Sequence, residues 1–301
     1  MYKIEHKISV DNSLDYVELT NSENDSNAKV YLNLGGSLQV LSLNKKSIIN
    51  GLSPQRYEET YASAILFPFT NRIKNGTYTF QDKDYTLNLN LEEENSAIHG
   101  LVYNKTFQII SKETTDDIAC LKIGFTENKK TKGFPFKYSI QLTYTLSQDI
   151  LTLNVEITNT DNNPFPFNIG WHPYFYSSNL FDSKLSLNSN KKLVFNEEMI
   201  PIGVNDIVET EEIQIKNKHF DDCYILNSKS IQFRTPDHQI TLSSSSNENY
   251  LQVYTPNNSN AIAIEPKTGP SNSFNNKLGL NILKPNENHQ VSWTITLNEN
   301  E

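Results

Sequence analysis

This sequence predicts an all-β protein, one large antiparallel β-sandwich domain over residues 1–301, and three observations carry the prediction. Apolar and polar residues alternate with a period of two along most of the chain, the pattern of strands with one dry face and one wet face. No long segment has apolar residues at three- and four-residue spacing, so no substantial helix is expected. Gly and Pro fall between the alternating runs, where turns need them. Many half-buried strands must bury their dry faces against one another, which gives two or more packed antiparallel sheets. No linker, fixed-period repeat or shift in composition divides the chain.

In chain order, "GTYTF-QDKD-YTLNLNL" (76–91) reads as a hairpin, and "CLKIGFT" (120–126) as a strand. "YSIQLTYTL" (138–146) puts Tyr138, Ile140, Leu142, Tyr144 and Leu146 on one face. After "SQD", the run "ILTLNVEITNT" (150–160) alternates again through Leu151, Leu153, Val155 and Ile157. These two are a second hairpin. "IQFRTP-DHQ-ITLSSS" (231–245) is a third, and "VSWTITLNE" (291–299) closes the chain as a strand.

Composition narrows the function. A net charge of -9 and a pI near 5.2 argue against nucleic acid and against an anionic membrane surface, both of which require basic patches. No apolar run approaches the roughly 18 residues of a membrane span. "MYKIEHKISVDN" has no apolar signal core, so a cytoplasmic protein is expected. Cys120 and Cys223 are too few for a disulfide framework. The six histidines show no His-Glu-x-x-His pattern and no close pairing, so no metal is expected. There is likewise no phosphate loop, dinucleotide fingerprint or Gly-x-Ser-x-Gly elbow.

Five segments break the regular alternation with side chains suited to chemistry. "NIGWHPYF" (168–175) does not read as strand and holds His172 in an aromatic collar. "FPFTNRIKNGTYTF" (67–80) presents Asn71 beside Arg72, one of three arginines among 26 basic residues; the planar, five-donor guanidinium suits a hydroxyl or carboxylate clamp. "SAIHGL" (96–101) sets His99 before Gly100, and "HFDDCY" (219–224) carries the adjacent acids Asp221 and Asp222. In "AIAIEPKTGPSNSFN" (261–275), Glu265 ends a short apolar strand and Pro266 turns the chain away. A carboxylate at the end of a buried strand is costly without a partner or a task. Each of these residues also has a plain structural reading: a core histidine, a surface ion pair or a solvated turn. Taken together, a histidine, a carboxylate and polar clamps make a cofactor-free acid–base set.

The order "NRIKNG", "AIHG", "GWHPYF", "FDDCY", "VYTP" and "EPKTGPSNSFN", over residues 67–275, resembles the aldose 1-epimerase (galactose mutarotase) family. The resemblance implies the large antiparallel supersandwich of that family. It implies His172 as general acid and Glu265 as general base, with Asn71, Arg72, His99 and Asp221 binding sugar hydroxyls. Asp221 rather than Asp222 matches the family's Leu-Asp-x-x-Phe. "GWHPYF" and "EPKTGP", in place of the Asn-His-x-Tyr-Phe and Glu-x-Gln of the best-studied mutarotases, resemble a shorter, less characterised branch.

The implied reaction interconverts α and β anomers of a free hexose, with a sugar as the only partner besides a possible second copy of the chain, as monomer or homodimer. Trp171, Tyr174 and Phe175 are expected to face the apolar side of the sugar ring. Ordinary side-chain pKa values, about 4.3 for Glu and 6.5 for His, lead to an expected pair of ionised Glu265 and protonated His172 near pH 5 to 6.5. Three other readings use the same residues. A hexose-6-phosphate epimerase would want more arginine, and a non-catalytic sugar binder would need no acid and base together. A glycoside hydrolase would use Asp221 with Glu265 and leave His172 without a task.

Overall fold

Tyr138–Leu146 and Ile150–Asn159 pair antiparallel in unbroken register from Tyr138↔Asn159 to Leu146↔Leu151. Buried and half-buried side chains alternate along both. Asn288–Asn298 adds itself to Ile150–Asn159. On the wet face polar side chains meet across strands: Thr152 and Thr294 hydroxyls at 3.1 Å, and the Ser292 hydroxyl donating to Asn154 at 2.9 Å. The alternation of the sequence is thus two surfaces, each satisfied in its own way. The structure, a computed structural model, describes residues 1–8, 15–52, 55–208, 212–257 and 259–298. Glu299, placed by the sequence in the last strand, lies outside them.

Among the described residues two large antiparallel sheets result, one of nine strands around this trio and one of thirteen. Their dry faces meet across a common core. Trp171 of the larger sheet stacks on Trp293 of the smaller, with centroids 6.1 Å apart, and Phe175 packs on Phe233 at 6.3 Å. Each such buried aromatic contributes about 2–3 kcal/mol by removal from water. The sandwich predicted from alternation is the architecture observed. Among the described residues the α-helical segments are the single turns Tyr57–Thr60 and Ser273–Asn276. No helix among them is long and apolar enough to cross a membrane.

Three local expectations are corrected. In the 76–91 hairpin the turn is Gln81-Asp82, both at positive φ, and the strands are Thr77–Phe80 and Lys83–Thr86. The alternation of 87–91 persists without strand because Leu87 is buried while its N–H donates to Gly76 at the strand margin. "NIGWHPYF" does contain strand: Gly170–Trp171 and Tyr174–Tyr176 flank a break at His172-Pro173. Glu265 is not at a strand end. Ala261–Lys267 runs through it and through Pro266, which sits opposite Leu251.

In the thirteen-stranded sheet, Tyr174–Tyr176, Ala261–Lys267, Tyr250–Tyr254 and Asp221–Ile225 lie side by side. A short ribbon, Arg72–Lys74 paired with Ser96–Ile98, ends next to them. The chain leaves that ribbon through His99 and Gly100, both at positive φ (61° and 78°). Here glycine is required, because a Cβ on Gly100 would stand 2.2 Å from the carbonyl oxygen of Phe67. Gly100→Ala should therefore lower stability by about 2 kcal/mol or more, with a reduced midpoint in urea; an unchanged midpoint would show that the backbone relaxes freely.

Candidate active site

Strand alternation decides which polar side chains meet. On Ala261–Lys267, Ile262 and Ile264 enter the core, so Glu265 and Lys267 face the other way. Register sets Gln252 opposite Glu265 and Asp221 opposite Tyr254. Glu265, Gln252, Tyr254 and Asp221 line a cleft of about 370 Å³, together with His172, Tyr174, Tyr61, His99, Asn71 and Arg72. That is room for a small ligand. Asp222 alternates away from the cleft and pairs with Lys192 at 2.6 Å.

His172 occupies the break between two strands, and its backbone is held on both sides. Its N–H donates to Ala64, its carbonyl accepts from Ser63, and the carbonyl of Pro173 accepts from Ile264. The ring stacks on Tyr174 with centroids 5.0 Å apart and meets His99 edge-on at 5.0 Å. Nε2 of His172 lies 3.4 Å from Oε1 of Glu265. The two residues are 5% and 2% exposed. Among the described residues, His172 Nδ1, His99 Nδ1 and Glu265 Oε2 find no hydrogen-bond partner. These three atoms keep hydrogen-bonding capacity at the cleft.

The opposite wall is polar and charge-balanced. Arg72 donates from Nε and Nη2 to the two oxygens of Glu94 at 2.6 and 2.9 Å, and from Nη1 to the Asn71 side chain at 3.1 Å. Asn71, at φ 54°, has its carbonyl hydrogen-bonded by the N–H of His99, which ties the two predicted hydroxyl binders together. Behind Arg72, its carbonyl accepts from the N–H of Asn272, and the Asn272 side chain accepts from the N–H of Lys74. The "PSNSFN" segment thus buttresses the arginine. No three His, Cys, Asp or Glu side chains among the described residues converge as a metal site.

Burial sets the protonation of the central pair. It pushes Glu265 up to about 7, against the opposing pull of Lys267 and Arg72. It pushes His172 down to about 3, aided by Lys267 and opposed by Asp221. His99 is also held well below the usual imidazole range, by burial first and then by His172 and Arg72. Asp221 is raised by burial and by Glu265. Burial thus works against the expected ion pair and favours the neutral form of each partner, with the one proton on Glu265. The proton count is the same in either form, since the pair carries one proton.

The aldose 1-epimerase family profile matches residues 15–296. The chain belongs to the aldose 1-epimerase family. Over 274 residues it is 23% identical to the uncharacterised protein YihR of Escherichia coli K12, covering 87% of each chain. It is 24% identical to the galactose mutarotase of Mus musculus over 178 residues, 56% of this chain and 50% of that protein. In fold it is similar to a galactose mutarotase-like protein from Clostridium acetobutylicum, with a TM-score of 0.86 at 19% identity over 99% of both chains. The galactose 1-epimerase of Lactobacillus acidophilus NCFM superposes with a TM-score of 0.83 at 17% identity, covering 100% and 99% of the two chains.

Within this epimerase fold six of the seven predicted site residues meet at one cleft: His172, Glu265, Asn71, Arg72, His99 and Asp221. Trp171 does not. It is wholly buried, stacked on Trp293 on the core side of its sheet, because alternation sends it opposite to the cleft. Phe175 is in the core for the same reason, and Tyr174 is the aromatic of the collar that lines the cleft. Sequence reasoning missed Gln252, Tyr254 and Tyr61. The first two had a usable signal, since "YLQVY" is a strand whose polar phase contains both. Tyr61 had none; it caps a single helical turn at φ 50° and packs on His99 at 4.8 Å.

Glu265 is raised from an ordinary 4.5 to about 7 in the folded protein. Its contribution to stability is therefore intact below pH 4.5 and is lost as pH rises through 7, where a buried carboxylate must ionise. The full effect is on the order of 3 kcal/mol. Glu265→Gln should accordingly melt higher than the parent protein at pH 8, with the difference closing below pH 4.5. A variant that melts lower at pH 8 would mean that the ionised carboxylate is a net stabiliser.

Proposed function

We propose that the protein interconverts the α and β anomers of a free aldohexose of the galactose or glucose type through the open-chain aldehyde, without a cofactor. His172 and Glu265 are its acid–base pair. The observation that carries the reading is the 3.4 Å approach of His172 Nε2 to Glu265 Oε1 inside a cleft lined by hydroxyl-binding side chains.

The one proton of the pair suffices for the reaction. Glu265 passes its proton to His172, leaving a carboxylate and an imidazolium. The carboxylate takes the proton of the C1 hydroxyl while the imidazolium gives its proton to the ring oxygen. The bond between C1 and that oxygen breaks and the C1 carbonyl forms. Rotation about C1–C2 presents the other carbonyl face, and closure returns both protons. No electron leaves the sugar, and the charge of the pair is the same at the start and the end. His99, Asn71, Arg72 and Asp221 hold hydroxyls, and Tyr61, Tyr174 and Tyr254 offer aromatic surface in the role expected of Trp171.

The charge balance of the cleft favours a neutral sugar. The guanidinium of Arg72 is already engaged by Glu94, and Glu59 adds another carboxylate to the lining. A sugar phosphate would bring a dianion against these carboxylates with no uncommitted arginine to meet it.

Polarimetry on freshly dissolved α-glucose and α-galactose tests the assignment. The parent protein should speed the approach to equilibrium, with an alkaline limb near pH 7 where the pair loses its only proton, and full activity below it. Glu265→Gln should lower kcat by about 10²-fold or more with KM little changed. Near-normal turnover in that variant would leave the carboxylate without a catalytic role, and a parent protein that binds sugar but does not speed mutarotation would make this a binding protein.

Substrate charge gives an independent check. Neutral hexoses should exceed their 6-phosphates in kcat/KM, by tenfold or more on the order of one unfavourable charge contact. The reverse preference would move the assignment to a hexose-phosphate epimerase.

A further inference from the structure

Lys267 is a lysine buried beside the candidate acid–base pair. It lies two residues after Glu265 on the same strand and face, and it is only 3% exposed. It does not line the cleft. Its Nζ donates to Oε1 of Gln252 at 2.9 Å, and Nε2 of Gln252 donates to Oδ1 of Asp221 at 2.7 Å. A lysine can only donate, so the carbonyl end of the Gln252 amide must face inward and its amino end must face Asp221. The chain Lys267, Gln252, Asp221 therefore has one orientation, running from a buried charge to the rim of the cleft.

Burying an ammonium is costly unless carboxylates compensate it. Lys267 acts on both Glu265 and Asp221 and favours the ionised form of each. We propose that Lys267 is a positioning residue of this site: its buried ammonium locks the Gln252–Asp221 chain and supplies the positive charge behind Glu265. The role of Asp221 and Glu265 toward a sugar rests on the function proposed above; the electrostatic coupling does not.

Several other groups face Glu265 and share in its titration. His172 and Tyr174 approach from one segment, Tyr254 from the adjacent strand Tyr250–Tyr254, and Asp221 and Cys223 from Asp221–Ile225 beyond it. Arg72 approaches from the ribbon and is neutralised in part by Glu94. Asp221 opposes ionisation of Glu265, and the two cations favour it. Removing Lys267 removes the cation that acts most strongly on Glu265 and leaves Arg72. The direction is fixed: Glu265 must then hold its proton to higher pH.

The test compares Lys267→Met, which keeps the stem and removes the charge, with Lys267→Arg, which keeps the charge, and Gln252→Met, which breaks the chain but leaves Lys267. The titration of Glu265 is followed in the free protein by carboxyl ¹³C NMR, assigned through Glu265→Gln. Lys267→Met should move it upward by about one pH unit or more. Lys267→Arg should restore most of the shift, and Gln252→Met should leave it nearly in place. In the polarimetric assay Lys267→Met should move the alkaline limb upward to match and lower kcat/KM about tenfold or more through the loosened Asp221. A Glu265 titration unmoved in a folded Lys267→Met protein overturns the proposal, whatever the activity. An inactive parent protein with a shifted titration instead removes the proposed function and leaves the coupling standing.

Discussion

Glu265 and His172 stand 3.4 Å apart, both out of water, and most features of the site follow from what that costs. An isolated buried charge is expensive, so burial favours the neutral form of each group, and together they share one proton. Holding them there needs rigid backbone on both sides. Glu265 has it as an interior position of a strand paired with Tyr250–Tyr254. His172 has it through three backbone hydrogen bonds around a break that Pro173 makes possible by having no N–H to satisfy. The two sheets supply this rigidity by burying Trp171, Trp293, Phe175 and Phe233 directly behind the pair.

The same constraint explains what could be read in the sequence and what could not. Strand periodicity is a local property, so Tyr138–Leu146 and Ile150–Asn159 were legible residue by residue. Which polar residues gather at one place is a matter of register between strands distant in sequence, and periodicity does not encode it. Gln252 meets Glu265 because Tyr250–Tyr254 pairs with Ala261–Lys267 at one offset, and a slip of one residue would have sent Gln252 into the core. The six residues that do meet were found through the order of short motifs, whose spacing reflects this register without explaining it.

Misreadings have physical causes as well. Trp171 is adjacent to His172 in sequence, and adjacency suggested a shared surface. In a strand, adjacency means opposite faces, so the neighbour of a cleft residue belongs to the core. Pro266 suggested the end of a strand, yet proline is tolerated within Ala261–Lys267 opposite Leu251. Ordinary pKa values describe groups in water, and burial moves both members of the pair away from them. Burial is the largest influence on each group and favours its neutral form, on Glu265 against the pull of Lys267 and Arg72.

Arg72 is matched by Glu94 and Lys267 by Asp221 through Gln252, while burial favours the neutral forms of Glu265 and His172. Glu59 at the rim is matched by Arg56 at 2.7 Å. A site whose cations and carboxylates are paired off presents oriented dipoles and hydrogen-bonding atoms without a net field, which suits a neutral polyhydroxy ligand. It also suits a reaction in which two protons exchange places and no net charge accumulates. Preorganised groups of this kind need not reorient as the ring opens. The balance depends on Lys267, because without it the carboxylates Asp221 and Glu265 would face each other with only Arg72, itself shared with Glu94, to hold them.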